Sequence, residues 1–536
     1  MKKSIFLISF FIVGTSSLLI AQQKTKPNIL FIAIDDLKPI LGCYGNSQIK
    51  TPNIDRLAKM GTVFLNNYVQ QAVCGPTRAS LMTGKRPDYT KIWDLKTKMR
   101  DVNPDILSLP QYLISQGYTT QGIGKVYDPR CVDKDIDKPS WSVPFYKTDS
   151  KYYGSYGEPA EGRYQLSETK ALAAKYVNEY LALGKTKAEA NQYAESKIKP
   201  AVENADVADY AYNDGANILQ AKDILAKLSK SDQPFFFAVG IAKPHLPFVA
   251  PKKYWDLYKR EEMPIAKFQE QTSNPVDVAY HNAGELRGYS DIPPLLSFTD
   301  QKSYGLTLPI DKQKELIQGY YAAISYTDAN VGVLLNTLDS LGLTKNTIVV
   351  LWGDHGWHLG DHNLWCKHSN FEEATHAPLI IAAPGFKPSA TKALSEHVDI
   401  FPTLCELASV NIPTQLDGKS LLPLMKNPNT TVKEYSVSQY PRSNASAENE
   451  RLGYADANAM GYSIRTNQYR YTIWLKDGYR STQPFNPKLV IGTELFDYNK
   501  DPLETHNVVN DKNYVTTSKE LHSKMLAYFS SQLSNK

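Results

Sequence analysis

The stretch that most restricts the fold of this 536-residue chain is NILFIAIDD, in which Ile29 to Ile34 form an unbroken apolar run that stops at two carboxylates, Asp35 and Asp36. A strand with one wet face alternates polar and apolar residues. A strand apolar at every position has to be covered on both faces, as in the centre of a mainly parallel sheet with helices above and below it. TIVVLWGDHG at 347–356 repeats the pattern and ends in Asp354 and His355. PFFFAVG at 234–240 is another such strand, and it empties into the proline-bounded loop IAKPHLPF, with Lys243 and His245. In open α/β sheets ligands bind at the carboxyl ends of the strands, where these polar residues fall.

The segments in between alternate in type. TPNIDRLAKMG reads as a helix capped by Thr51 or Asn53, TVFLNNYV as a strand, Leu107 to Gln116 as a helix, and YTTQGIGKVYDP as a strand running into a turn that carries Lys125. Helical spacing returns over 213–228 and 312–341, HAPLIIAAPG reads as a strand, and DIFPTLCELA as a helix. Residues 131–204 are polar and rich in Tyr, Lys and Ala, which predicts a surface insertion, either a substrate-binding wall or a decoration. Beyond about 410, GYSIRTNQYRYTIWL alternates as a half-exposed antiparallel strand would, and Ser518 to Leu533 reads as a closing helix. The expected class is α/β: a large mixed, mainly parallel sheet sandwiched by helices over 22–410, and a smaller C-terminal α/β subdomain with an antiparallel sheet over 411–536. A chain of this length exceeds one ordinary core.

MKKSIFLISFFIVGTSSLLIA, with Lys2 and Lys3 ahead of an apolar run and small residues up to Ala21, reads as a secretory signal peptide, 1–21. That predicts a periplasmic or secreted protein with no membrane association after cleavage; an uncleaved anchor is the alternative. A net charge of +5 without a dense Lys/Arg run argues against a nucleic-acid partner. The five cysteines form no CxxC pair, which argues against zinc; with Cys74 set aside, the other four either form two bridges or stay as thiols.

Cys74 lies in QAVCGPTRASLMTGKRP, at the mouth of a helix-compatible run with Pro76 and Arg78 following. A helix start favours anions, and Arg78 falls one turn on, on the same face. Alone, this segment is equally a buried cysteine beside a structural arginine. If the strands ending in Asp35–Asp36 and Asp354–His355 are neighbours, three carboxylates and an imidazole converge, a mainly oxygen set that suits Ca2+ or Mg2+ better than zinc.

NILFIAIDDL, CGPTRASLMTGKRP, GIGKVYDP, FFFAVGIAKPHLPF, GYYAAISYTDANVG, GDHGWHLGDHNLWCKHSNFEEATHAPLI and GYSIRTNQYRY, in this order between about 27 and 510, together resemble the type I sulfatases of the alkaline phosphatase superfamily, in particular the iduronate-2-sulfatase-like branch. The resemblance implies an alkaline phosphatase-like fold and oxidation of Cys74 to Cα-formylglycine by a formylglycine-generating maturation enzyme, the aldehyde hydrate being the nucleophile. It implies one Ca2+ ion, with Mg2+ the second choice, held by Asp35, Asp36, Asp354, His355 and residue 74. Arg78 would hold the hydrate, Lys125 and Lys367 would neutralise the sulfuryl oxygens, and His245 would protonate the leaving alcohol. Where the family has a histidine shortly after the lysine equivalent to Lys125, this chain has Asp128, either a replacement acceptor or the end of a turn. His358, His362 and His368 are candidates for substrate contact and otherwise for packing; Trp357 and Trp365 would stack on a sugar or lie in the core.

The activity so implied is that of an exported sulfatase acting on O-sulfate esters of carbohydrates. It would be exo-acting on oligosaccharides from sulfated polysaccharide, either marine algal, such as ulvan or carrageenan, or glycosaminoglycan. The alternatives are a phosphonate or phosphate monoester hydrolase of the same superfamily and a non-catalytic, metal-dependent glycan-binding protein.

Overall fold

The strand over Asn28–Ile34 (β1) is buried at every position and is an interior strand of a seven-stranded sheet. The structure, a computed structural model, describes residues 26–133, 136–293, 305–442 and 458–534; the expected signal peptide lies outside them. The other strands of this sheet are β2 (Thr62–Tyr68), β3 (Thr119–Gly124), β4 (Phe235–Ile241), β5 (Thr347–Gly353), β6 (Leu379–Ala382) and β7 (Ser389–Glu396), in the order β7-β2-β6-β5-β1-β4-β3. β1 is parallel to β4 and β5, with Ile34 opposite Ile241 and Gly353, so the three strands end level. β6 alone in this sheet is antiparallel to its neighbours, because the chain leaving β5 stays at the ligand edge and re-enters from there.

The longer helices are, in chain order, α1 (Pro52–Ala58), α2 (Cys74–Thr83), α3 (Leu109–Ser115), α4 (Ser167–Ala182), α5 (Lys187–Lys197), α6 (Asn213–Leu228), α7 (Ile310–Ser340), α8 (Ile400–Leu407) and α9 (Val515–Ser534). Leu30, Ile32 and Ile34 enter a core with α1, α6 and α7, whereas Ile29, Phe31 and Ala33 enter a second core with α2, α3 and α8. This explains why the run has no polar position. The cap of α1 differs from expectation. Thr51 Oγ1 accepts from Gly42 N, and the free amides of Asn53 and Ile54 donate instead to the Asp328 carboxylate of α7, at 3.0 and 2.7 Å.

A second sheet of β8 (Ser436–Arg442), β9 (Ala459–Arg465), β10 (Tyr469–Leu475) and β11 (Val490–Asp497) is antiparallel in sequential order. The segment read as one half-exposed strand is a hairpin, β9 and β10, buried on both faces. Its alternation has another cause: Tyr462, Ile464, Tyr471 and Ile473 pack on Leu521, Met525 and Phe529 of α9, while Arg465 and Arg470 on the other face pair with Glu372 of the larger domain. A polar face can be buried when its charges are matched.

Within the insertion, α4 and α5 form a hairpin that packs mainly on itself, with Tyr180 and Tyr193 stacked at 4.4 Å and only Ala173, Ala190 and Ala194 buried. All five cysteines are free, so the four beyond Cys74 form no bridges.

Candidate active site

The carboxyl ends of β1, β4 and β5 and the first residue of α2 meet at one point. Asp35 and Asp36 follow β1, Asp354 and His355 follow β5, and Cys74 opens α2, all essentially buried. The ligand atoms of Asp36, Cys74, Asp354 and His355 lie within 4.8 Å of one another, as do those of Asp35, Asp36, Cys74 and His245. Cys74 Sγ is 3.8 Å from Asp36 Oδ1 and 3.5 Å from His355 Nε2. His355 Nδ1 faces the Gly356 carbonyl at 3.0 Å. A carbonyl only accepts, so the hydrogen is on Nδ1 and the Nε2 lone pair points inward, as in a metal-binding imidazole.

Three cations balance these carboxylates. Arg78 donates Nε to Asp354 at 3.0 Å, Nη2 to Asp35 at 2.8 Å, and Nη1 to the Lys125 and Val126 carbonyls. These bonds orient the carboxylates and none goes to the Cys74 thiol, so beside the unmodified cysteine Arg78 fixes the neighbours of residue 74. Lys125 Nζ is 2.5 Å from Asp35 Oδ2, a placement that needs glycine at 240, where a Cβ would lie 2.1 Å from the Lys125 carbonyl carbon. Lys367 Nζ reaches both Asp36 oxygens, at 2.9 and 3.0 Å.

Glu285, which carries no motif signal, joins them: its Oε1 is 3.1 Å from Lys367 Nζ and 3.2 Å from His245 Nε2. Asp35, Asp36, Asp354 and Glu285 thus outnumber Arg78, Lys125 and Lys367 by one charge. The electrostatics reflect this. Burial raises the Asp36 carboxyl well above its ordinary range, Asp35, Glu285 and Asp354 adding to the rise against Lys367. Burial also opposes charge on Asp35, but Lys125 and Arg78 outweigh it and hold that carboxyl well below the usual range. The Cys74 thiol is pushed well up by burial and then by Asp35, so it is a poor thiolate nucleophile. A buried, oxygen-rich donor set that cannot ionise fully with the cations present fits a divalent metal ion.

The profile of the Sulfatase family matches residues 27–410. The chain belongs to the sulfatase family. It is a sulfuric ester hydrolase, a type I sulfatase of the alkaline phosphatase superfamily. A second profile, described as N-sulphoglucosamine sulphohydrolase, C-terminal, matches residues 360–531 of this sulfatase. Iduronate 2-sulfatase from Homo sapiens is 33% identical over 544 residues, covering 90% of this chain and 91% of that one. Ulvan-active sulfatase from Formosa agariphila is 28% identical, covering 94% and 81%. Among solved structures, one described as in complex with its substrate D-glucosamine-2-N,6-O-disulfate aligns with a TM-score of 0.67 at 21% identity over 96% and 99% of the two chains. The phosphonate monoester hydrolase of Agrobacterium radiobacter aligns with 0.67 at 22% over 95% and 96%. At these identities the structural likeness shows the fold.

The remaining candidates divide. His245 turns Nε2 into the site, its Nδ1 being 2.6 Å from the Leu246 carbonyl. Lys243 is not turned to the site; its Nζ bonds the carbonyls of His245 and Pro247, and burial lowers it to about 8. Asp128 ends the turn, with both oxygens on Arg130, and does not replace the histidine. His358 is held between Asp361 and Ser369, and His362 stacks on Phe371 with Nε2 toward the Glu504 carbonyl; both are packing residues. His368 alone of the three borders the site, 3.8 Å from Glu285. Trp357 and Trp365 are core, Trp357 lying under Lys367 at 4.9 Å. Gly162 and Arg163 of the insertion share a cavity of about 270 Å³ with Asp35, Lys125, Tyr212 and His245, so one part of the insertion is a wall of the site.

Proposed function

We propose that this sulfatase hydrolyses O-sulfate esters of carbohydrates using Cα-formylglycine made from Cys74 and one Ca2+ ion. We further propose that it is exported to the periplasm or beyond and acts on the ends of oligosaccharides from sulfated polysaccharide. The observation that carries the reading is the convergence of Asp35, Asp36, Asp354 and His355 on Cys74, with Arg78, Lys125 and Lys367 around them. Ca2+ accepts an irregular, oxygen-rich set, whereas Mg2+ demands a near-ideal octahedron. Held by these four residues, the ion would polarise the sulfate oxygens. A hydrated aldehyde at residue 74 would supply an oxygen nucleophile and, in its second hydroxyl, a route for releasing inorganic sulfate.

The chain's own groups supply the rest. Lys125 and Lys367 stand where they can pass from Asp35 and Asp36 to the sulfuryl oxygens, and losing one such donor costs about 3 kcal/mol of transition-state stabilisation. His245 faces the leaving oxygen with Nε2 and would serve as general acid in its protonated form, which burial and Lys367 disfavour and Asp35 and Glu285 support. With His245 neutral, a divalent ion and a singly charged sulfate ester cancel the one excess negative charge of the pocket. The relatives named iduronate 2-sulfatase and ulvan-active sulfatase favour a sulfated carbohydrate, glycosaminoglycan or algal. A cavity of about 270 Å³ suits a chain end better than a passing chain. The maturation partner would be a formylglycine-generating enzyme reading Cys74, Pro76 and Arg78.

Release of sulfate from a panel of sulfated oligosaccharides tests the reading, with a chelator and Cys74→Ala each expected to abolish it. A preparation whose residue 74 is shown by mass spectrometry to be the aldehyde, yet which releases no sulfate, would overturn it. Faster turnover of an aryl phosphonate than of an aryl sulfate would instead support the phosphonate hydrolase reading, which shares the fold.

A further inference from the structure

Glu285 has one oxygen committed and one to spare. Oε1 is shared by Lys367 Nζ and His245 Nε2, at 3.1 and 3.2 Å. Oε2 makes no hydrogen bond among the described residues, and the nearest ring nitrogen, His368 Nε2, is 3.8 Å away on an imidazole that burial and Lys367 keep neutral. The side chain is 21% exposed, unlike Asp35, Asp36 and Asp354, which have essentially none. Glu285 is also fixed: the adjacent Leu286 is buried, and Arg287 Nε ties back to the Asn282 carbonyl at 2.8 Å. A carboxylate with a free acceptor oxygen therefore stands, partly exposed, beside the lysine assigned to the sulfate and the histidine assigned to the leaving oxygen.

We infer that Glu285 is a specificity residue that accepts a hydrogen bond from a free hydroxyl on the carbon next to the sulfate ester, and excludes substrates carrying a second sulfate or a carboxylate there. The inference rests on the function proposed above. Two physical arguments carry it. Because Lys367 and His245 both hold Glu285 Oε1, an ester with its sulfuryl oxygens toward Lys367 and its bridging oxygen toward His245 would set the groups next to the ester carbon beside this carboxylate. Only a donor is welcome at an unpaired carboxylate oxygen, and an anion is repelled. The second argument is charge. While His245 is neutral and Glu285 ionised, a divalent cation and one ester bring the pocket to neutrality; without the Glu285 charge one more positive charge is left over, which a second sulfate would satisfy.

The test compares the enzyme with Glu285→Gln, which keeps shape and loses charge, on three substrates: an aryl sulfate, a sugar monosulfate with a free vicinal hydroxyl, and the same sugar sulfated at both positions. The enzyme is expected to prefer the vicinal hydroxyl by at least about tenfold in kcat/KM. In Glu285→Gln that ratio should fall to about one or invert. Aryl sulfate turnover reports separately that the site is folded and that the protein is a sulfatase. Affinities for the two sugars measured by calorimetry on Cys74→Ala, with and without Glu285→Gln, should follow the same order. A discrimination ratio unchanged by Glu285→Gln overturns the inference, as does preference of the unaltered enzyme for the doubly sulfated sugar; equal loss on all three substrates overturns it too, since that marks a structural role.

Discussion

At the residue scale, the motif around Cys74 is constrained by a partner that no motif contains. Gly75 follows Cys74 at the start of α2, and a Cβ there would lie 2.4 Å from Cys131 Sγ and 3.1 Å from the Asp94 carbonyl. Two effects oppose each other when Gly75 becomes Ala. A helix favours alanine over glycine by about 1 kcal/mol, but overpacking a closed site costs roughly 1–3 kcal/mol. Gly75→Ala should therefore lower the melting temperature in the native background and raise it in Cys131→Ala, where the sulfur is gone. The same sign in both backgrounds would show that Cys131 is not what keeps position 75 small. Asp35, Asp36, Asp354, His355, Lys125 and His245 could be named from strand ends and the loops after them, where an apolar run stops, and Cys74 from the mouth of a helix-compatible run, whereas Lys367 could be named only through the motifs that carry the family resemblance. Glu285 could not, since it lies in a loop and its meaning comes from Lys367 and His245, both distant in sequence. The histidines at 358 and 362 misled for the converse reason: closeness in sequence to Asp354 and His355 does not bring them into the site.

At the scale of elements, the β9–β10 hairpin shows how one pattern has two causes. Alternating polar and aromatic residues fit a half-wet strand, yet both faces are dry because Glu372 and Glu504 meet the arginines. Glu494 on β11 is less well served. Its Oε2 accepts from Trp474 Nε1 at 2.9 Å, Oε1 has no partner among the described residues, and burial raises its carboxyl to about 7 from an ordinary value near 4.5. Between those pH values the folded protein keeps a proton that the unfolded chain has released, so stability is lost as pH rises through the window, by roughly 3 kcal/mol from this group alone. Glu494→Gln removes that penalty. Its melting temperature, compared with the native protein, should be about equal at pH 4.5 and clearly higher at pH 8; a difference independent of pH would refute the assignment.

For the whole molecule, the two sheets are joined through charge. Glu372 receives Arg465 Nε at 3.0 Å, Arg470 Nη2 at 2.6 Å and the Tyr68 hydroxyl at 2.8 Å, which ties the second sheet to β2. Burial opposes its charge, but Arg465 and Arg470 outweigh it and hold the carboxyl far below the carboxylate range, so its contribution is present at neutral pH and fades only in acid, from about pH 4 downward. Glu372→Ala would leave two neighbouring arginines of the second sheet without this carboxylate at a buried seam. It should cost about 3 kcal/mol in a urea unfolding measurement at pH 7, with the difference from the native protein shrinking below pH 4. Loss under 1 kcal/mol would show that Glu504 alone suffices to hold them.

The sequence by itself determined the α/β class, the central strands, the ligand edge and most of the groups that converge there, because a strand buried on both faces cannot hide its composition and a polar residue at its end cannot avoid the edge. Tertiary structure alone decided what depends on contacts between distant segments: Asp328 capping α1, the dry polar face of β9 and β10, Arg78 steadying Asp35 and Asp354, and Glu285 beside Lys367 and His245. A charge is legible in a sequence, whereas its partner is chosen by folding, since only the fold determines which counter-charge shares its low-dielectric surroundings.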